Sequence, residues 1–270
     1  MSRMLWIGVA AATAMAIVAA PASAATLTPN ISAEDNGTAD CSLREAIDAA
    51  VANSDGGGCD TETTGPYGND VVDEIVLTGG PYNLTHATTN EDLNFNGDLD
   101  IGGGGPIVIR SDTPGVRRNV SMGPLVDRMI ELVNVNGVPD LTLRDVDLGT
   151  AGEIPSENGG VILAATNGND LDLENVEIVH NNDVNAINGG LIFVSGASST
   201  FEMSDSTLTG GDATSQGGGL FLDSVAPVTI ERSLISFNDA IAPNNLDAQG
   251  GGIFANNTPL TIIDSEISDN

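Results

Sequence analysis

The sequence predicts an all-β solenoid of stacked strands, opened by one short α-helix, and two recurring landmarks carry that expectation. An octet with large apolar residues at its first, third and eighth places begins at Leu141, Leu171, Phe201, Val228 and Leu260. A glycine pair or triplet leads a short apolar strand at Gly159-Gly160-Val161, Gly189-Gly190-Leu191, Gly217-Gly218-Gly219-Leu220 and Gly250-Gly251-Gly252-Ile253. The octets start 30, 30, 27 and 32 residues apart, and the glycine runs keep nearly the same beat. Two landmarks in phase define one coil of two or three short strands, stacked in parallel on its equivalents in the next coil.

The elements follow in order. Arg3 precedes an apolar run from Leu5 to Ala20 that ends in Pro21-Ala22-Ser23-Ala24, an A-x-A cleavage pattern before Ala25. The run is short for a membrane-spanning helix, which needs about 20 residues. Residues 1–24 are therefore expected to be a cleaved signal peptide and the mature chain to be secreted or held at a cell surface. Gly, Asp and Asn interrupt every later apolar run, so no transmembrane segment is expected in the mature chain.

Residues 25–40, rich in Asn, Thr and Asp, read as a loose polar lead-in. Residues 41–70 read as a stapled helical cap. Ser42 and Glu45 form a capping box, and Leu43, Ala46, Ile47, Ala50 and Val51 share one helical face until Asn53 and the Gly56-Gly57-Gly58 stop. Such a helix suits the open hydrophobic end of a strand stack. In an exported chain, Cys41 and Cys59 are expected to form a disulfide, which contributes about 3 kcal/mol in the chain-entropy model. A two-ligand metal site and free thiols are the alternatives.

Residues 71–270 read as the stack. Asp73–Leu77, Tyr82–Leu84, Ile107–Ile109 and Met129–Leu132 lead into the regular coils. Leu141 and Leu143, Leu171 and Leu173, Phe201 and Met203, Val228 and Ile230, and Leu260 and Ile262 are expected to point inward, in columns about 4.8 Å apart. Each buried aliphatic side chain contributes roughly 1.5–3 kcal/mol before entropy, so a coil is stable only between neighbours. Asp145, Asn175, Asp205 and Asp264, at the fifth place of four octets, are expected to hold a turn by side-chain to backbone hydrogen bonds. Ile267 to Asn270 fall within a coil, so the stack is expected to continue beyond Asn270.

The formal charge is −30, every basic residue is Arg, and loss of Arg3 with residues 1–24 takes the charge to −31. Nucleic acid and anionic membranes are excluded as natural partners by that balance. Salt-tolerant solvation, cation binding and plain solubility remain open readings of the acidity. Aromatic residues are only 3% of the chain, so the core must be aliphatic and thin.

Cys41-Ser42-Leu43-Arg44-Glu45-Ala46 resembles the segment after which the CSLREA-type exported bacterial β-helix proteins are named. Asn96-Gly97-Asp98-Leu99-Asp100-Ile101, Asp127-Arg128-Met129-Ile130 and the glycine-led strands resemble the body of such proteins, so the resemblance spans about residues 41–270. It implies a right-handed parallel β-helix with the pectin-lyase-like fold, at a cell surface or in the medium. It implies no single activity.

Several constellations are candidates for chemistry. Asp92-x-Asn94-x-Asn96-Gly97-Asp98-x-Asp100 sets oxygen ligands at alternate positions around a glycine turn, as calcium loops do. Gly103 stands where a bidentate Glu belongs, so another part of the chain would have to complete the shell. In-register stacking sets Asp172 beside Glu202, an acidic patch that a cation or proton would relieve, and Arg144 beside Glu174, an ordinary bridge. Ile162, Ile192, Phe221 and Phe254 face opposite to Val161, Leu191, Leu220 and Ile253, so one set is expected to point outward, covered by coil insertions such as residues 239–249, with an exposed sticky or sugar-stacking stripe as the alternative. His86 and His180 read as loop residues, and no catalytic triad, phosphate loop or redox motif is visible. The expected role is adhesion or scaffolding toward glycans or other cell-surface components through an extended acidic face. The alternative is a polysaccharide lyase or glycoside hydrolase working in a groove of the stack.

Overall fold

A computed structural model describes residues 25–34, 40–54, 58–59, 63–65, 67, 71–85, 94, 97–122, 127–149, 157–180, 186–242 and 247–270. The expected signal segment, Asp92, Asn96 and His86 lie outside the described residues. The chain is a β-solenoid. One sheet runs through Asp73–Leu77, Pro106–Ser111, Asp140–Leu148, Asp170–Val179, Thr200–Ser204, Val228–Glu231 and Leu260–Ile263, all paired in parallel. A six-stranded parallel sheet, from Leu99–Ile101 to Ile253–Asn256, closes the other side and counts six coils. A third sheet joins Ala186–Asn188, Asp212–Gln216 and Asp239–Ala240.

The octets stack in the expected register. Leu141 lies beside Leu171 and Leu171 beside Phe201, while Leu143, Leu173, Met203, Ile230 and Ile262 form one continuous column. The members of these columns up to Ile230 are buried, so the solenoid core is a set of aliphatic ladders. The fifth place of each octet bends the strand. Asp145, Asn175, Asp205, Arg232 and Asp264 all take positive φ, between 47° and 56°. Asn and Asp tolerate that conformation better than most residues. Instead of the expected bonds to the local backbone, the side chains of Asp145 with Asn175 and of Asp205 with Arg232 pair across neighbouring coils. Asn175 Nδ2 donates to Asp145 Oδ1 at 2.6 Å, and Arg232 donates to both Asp205 oxygens at 2.8 and 2.7 Å.

The sixth place of the octet also points inward. Val146 and Val176 fill it in two coils, and serines fill it in the next three. Ser206 Oγ accepts from Val176 N, Ser233 Oγ from Ser206 N, and Ser265 Oγ from Ser233 N, at 2.9, 3.2 and 3.0 Å. Each hydroxyl donates to a carbonyl two residues upstream, at 2.7 or 2.8 Å. The bend breaks the strand ladder there, and the serines satisfy the freed backbone groups.

The glycine runs align by their first glycine, where Gly159, Gly189, Gly217 and Gly250 share φ of 66–69°. The outward column is therefore Leu163, Phe193, Phe221 and Phe254, neither of the two expected sets. Ile162 and Ile192 are core residues at 0% exposure. The third glycine of the later runs stands where Val161 and Leu191 stand earlier, which shifts the apparent strand start by one. Phe193, Phe221 and Phe254 stack with ring centroids 4.6 and 5.2 Å apart, and Phe193 and Phe221 are buried.

The helix spans Leu43–Ala52, with the Ser42–Glu45 capping box formed at its start and Asn53 left-handed at its end. Cys41 and Cys59 are disulfide-bonded. Leu43, Ala46, Ile47 and Ala50 are buried, and the helix packs on Leu99–Ile101 and Asp73–Leu77. Gly104 allows this approach, since a Cβ there would lie 2.2 Å from the Val51 carbonyl oxygen. Strand pairing is present before the cap as well. Thr26–Leu27 pairs in parallel with Glu74 and Ile75, and the Leu27 side chain is buried where the polar composition suggested a loose lead-in. At the other end, Ile262 and Ile267 continue the inward columns but are each 43% exposed.

Candidate functional site

Alternate residues of the octet strands face outward and build an acidic strip. Asp140 and Asp170 are neighbours in register, as are Asp172 and Glu202, while Glu174 lies beside Arg144. The expected Asp172–Glu202 and Arg144–Glu174 pairings are both present. Asp172, Glu174, Glu202, Ser204, Thr229 and Glu231 line a shallow groove whose floor includes Leu173 and Met203. Arg144 is paired with Glu174, and Arg232 with Asp205 and Glu231, along its margins. Asp172 is pushed up to about 7, by partial burial first and then by Asp170, Glu202, Asp140 and Glu174. Asp140 is raised for the same two reasons, burial and then Asp170. The strip thus offers carboxylate acceptors at strand spacing, with one carboxyl half-protonated near neutral pH.

A second acidic cluster is buried beside the cap. Carboxylate oxygens of Asp98, Asp100 and Glu131 lie within 4.8 Å of one another. Asp98 and Asp100 are buried, and Glu131 comes from the next coil, directly opposite Asp100. Arg128 pairs with Glu131 and Glu157 and lies 3.9 Å from Asp98 Oδ2. Asp98 is pushed up to about 9, by burial first and then by Asp127 and Asp100, with Arg128 opposing.

Of the sequence-predicted calcium ligands, Asn94, Asp98 and Asp100 are described, and the two aspartates converge with Glu131. The Asn94 side chain is engaged with the cap and with Asp100. Its Nδ2 donates to Arg44 O and Asp48 Oδ1 at 3.1 and 2.8 Å, and its Oδ1 accepts from Asp100 N at 3.1 Å. Glu131 was missed because its nearness to Asp100 depends on the register between two irregular early coils.

The six-residue motif is structural throughout. Cys41 forms the disulfide, Ser42 and Glu45 cap the helix, and Leu43 and Ala46 enter the core. Arg44 is 1% exposed, pairs with Glu34, and donates to the carbonyls of Gly97 and Asp98, the former at 2.8 Å. His180 follows the strand Asp170–Val179, outside regular structure as expected, and is buried there. Among the described residues, no helix is long and apolar enough to cross a membrane. Compared with known proteins, the chain matches no family model, no curated protein and no solved structure.

Proposed function

We propose that the chain is an exported scaffold of the CSLREA type, a right-handed β-helix that meets glycans or other cell-surface components through its acidic strip. The observation that carries this reading is the set of outward carboxylates that register sets side by side, Asp140 with Asp170 and Asp172 with Glu202, with Glu231 lining the same groove as the second pair. A rigid stack holds them at fixed spacing, which offers an extended surface with little ordering cost. Carboxylates accept from hydroxyls and bind cationic groups, whereas they repel sulfated or uronate-rich chains. Neutral or amino-bearing glycans are therefore the favoured class. Export rests on the Arg3-to-Ala24 pattern, and the Cys41–Cys59 disulfide suits an oxidising compartment. The test is binding of the purified chain to neutral, amino-bearing and anionic glycans, with product formation assayed in parallel; preferential binding of anionic glycans would contradict the reading.

Calcium belongs to the same reading in a narrower form: Asp98, Asp100 and Glu131 would supply the oxygens, with waters completing the shell. Added calcium should then raise the melting temperature and a chelator lower it, and Glu131→Gln should abolish the difference. A melting temperature indifferent to both additions would dismiss the site. The pairing of Asp172 with Glu202, one carboxyl half-protonated beside another, favours a second reading as a glycan-cleaving acid–base pair. Release of sugar products, lost in Asp172→Asn and in Glu202→Gln, would decide for it.

A further inference from the structure

The structure assigns Asp73 as the receptor for the amino terminus that cleavage between Ala24 and Ala25 would create. The inference rests on the reading that residues 1–24 are removed, and joins two independent observations. The A-x-A pattern of Ala22-Ser23-Ala24 sets the cut before Ala25. The fold, for its part, aims Ala25 N at a carboxylate: it donates to Asp73 Oδ1 at 3.2 Å, with both residues at 1% exposure or less. The segment is fixed there by more than this contact. Ala25 O accepts from Glu74 N at 2.9 Å, and Thr26 and Leu27 continue in parallel pairing with Glu74 and Ile75.

Asp73 is a buried carboxyl at this position. Burial pushes its carboxyl up to about 6, and only the Ala25 backbone bond works against that. Its charged neighbours Glu74 and Arg110 pair with each other at 2.7 Å and leave Asp73 aside. Hydrolysis of the Ala24–Ala25 peptide bond consumes one water, leaves a carboxylate on Ala24 and an ammonium on Ala25, and so replaces one neutral N–H donor by a charged group with three. The new ammonium meets the buried carboxylate directly. Processing would thereby lock the first strand, and with it the start of the stack, into place.

The composition makes a clean test available. The chain has no lysine, so the α-amine of Ala25 is the only primary amine of the processed protein. The full chain would be produced in an exporting host and the mass of the exported product measured. An amine-reactive ester would then be applied at pH 7 to folded wild type, to Asp73→Asn and to both chains in urea. An ion pair that raises the amine pKa by one unit slows labelling about tenfold. The expected result is a product beginning at Ala25, labelled about tenfold faster in folded Asp73→Asn than in folded wild type, with equal rates in urea. Should Asp73→Asn not fold, slow labelling of folded wild type relative to urea, retained in Asp73→Glu, is the required result. A product beginning at Ala25 whose amine reacts equally fast folded and unfolded overturns the Asp73 assignment alone. An uncut or differently cut product overturns the processing on which it rests.

Discussion

The helix-capped end and the coils from Asp140 onward both cover the open face of a strand stack, but with different kinds of contact. In the coils the main packing contacts return one coil later: the Leu143–Leu173–Met203–Ile230 column, the Ser206–Ser233–Ser265 ladder, the stacked phenylalanines. At the cap each contact is made once. One disulfide, one buried Arg44 and one close approach at Gly104 hold the helix over Leu99–Ile101. Repetition spreads a lesion over neighbours that resemble one another, whereas a single contact has no equivalent to fall back on. The cap should therefore be the more brittle region.

The largest effect is expected from Arg44→Ala. It leaves the buried Glu34 carboxylate and the Gly97 and Asp98 carbonyls without their cation, a loss of about 3–5 kcal/mol that urea unfolding would measure. A loss below 1 kcal/mol would mean the cap is not held by this residue. Next comes the disulfide: Cys41→Ala with Cys59→Ala should cost about 3 kcal/mol and expose the helix to proteolysis before the coils are cut. Simultaneous cutting of cap and coils would erase the proposed contrast.

Within the coils, Ser206→Ala should cost only about 1–2 kcal/mol, because it takes the hydroxyl from Val176 N and Ser204 O while the backbone bond from Ser206 N to Ser233 Oγ stays. The smallest effect is pH-dependent. Asp172 titrates near 7 in the fold against an ordinary 3.8, so the folded state holds more protons between those values. The Asp172 contribution to stability should be lost as pH rises from about 4 to about 7, so the difference in melting temperature between wild type and Asp172→Asn should change across that range and hold constant above it.

The same contrast decides what the sequence could tell. Where the repeat was regular, spacing alone was sufficient: equal 30-residue steps from Leu141 to Phe201 paired Asp172 with Glu202 and Arg144 with Glu174. The capping box was equally legible, because Ser42 and Glu45 act locally. Register failed where the glycine run grew from two to three, since counting from its end instead of its first glycine exchanged Ile192 for Phe193. The serines at the sixth octet place carry no signal of burial in the sequence; only the bend at positive φ, which frees backbone groups inside the coil, explains their inward direction. Arg232 at that bend had no propensity signal, and its partner Asp205 lies a coil away. The Asp98–Asp100–Glu131 cluster was half visible, because its third carboxylate arrives from a coil whose length follows no repeat.

The acidic strip is the central claim, and its most direct test is binding of wild type and of the Asp172→Asn/Glu202→Gln double variant to neutral and amino-bearing glycans at fixed ionic strength. The account predicts that wild type binds without releasing product and that the variant, folded to the same extent, binds about tenfold or more weakly, as expected for the loss of charge-assisted hydrogen bonds. Equal binding by both proteins, or binding carried only by a surface away from Asp140, Asp172 and Glu231, would contradict it.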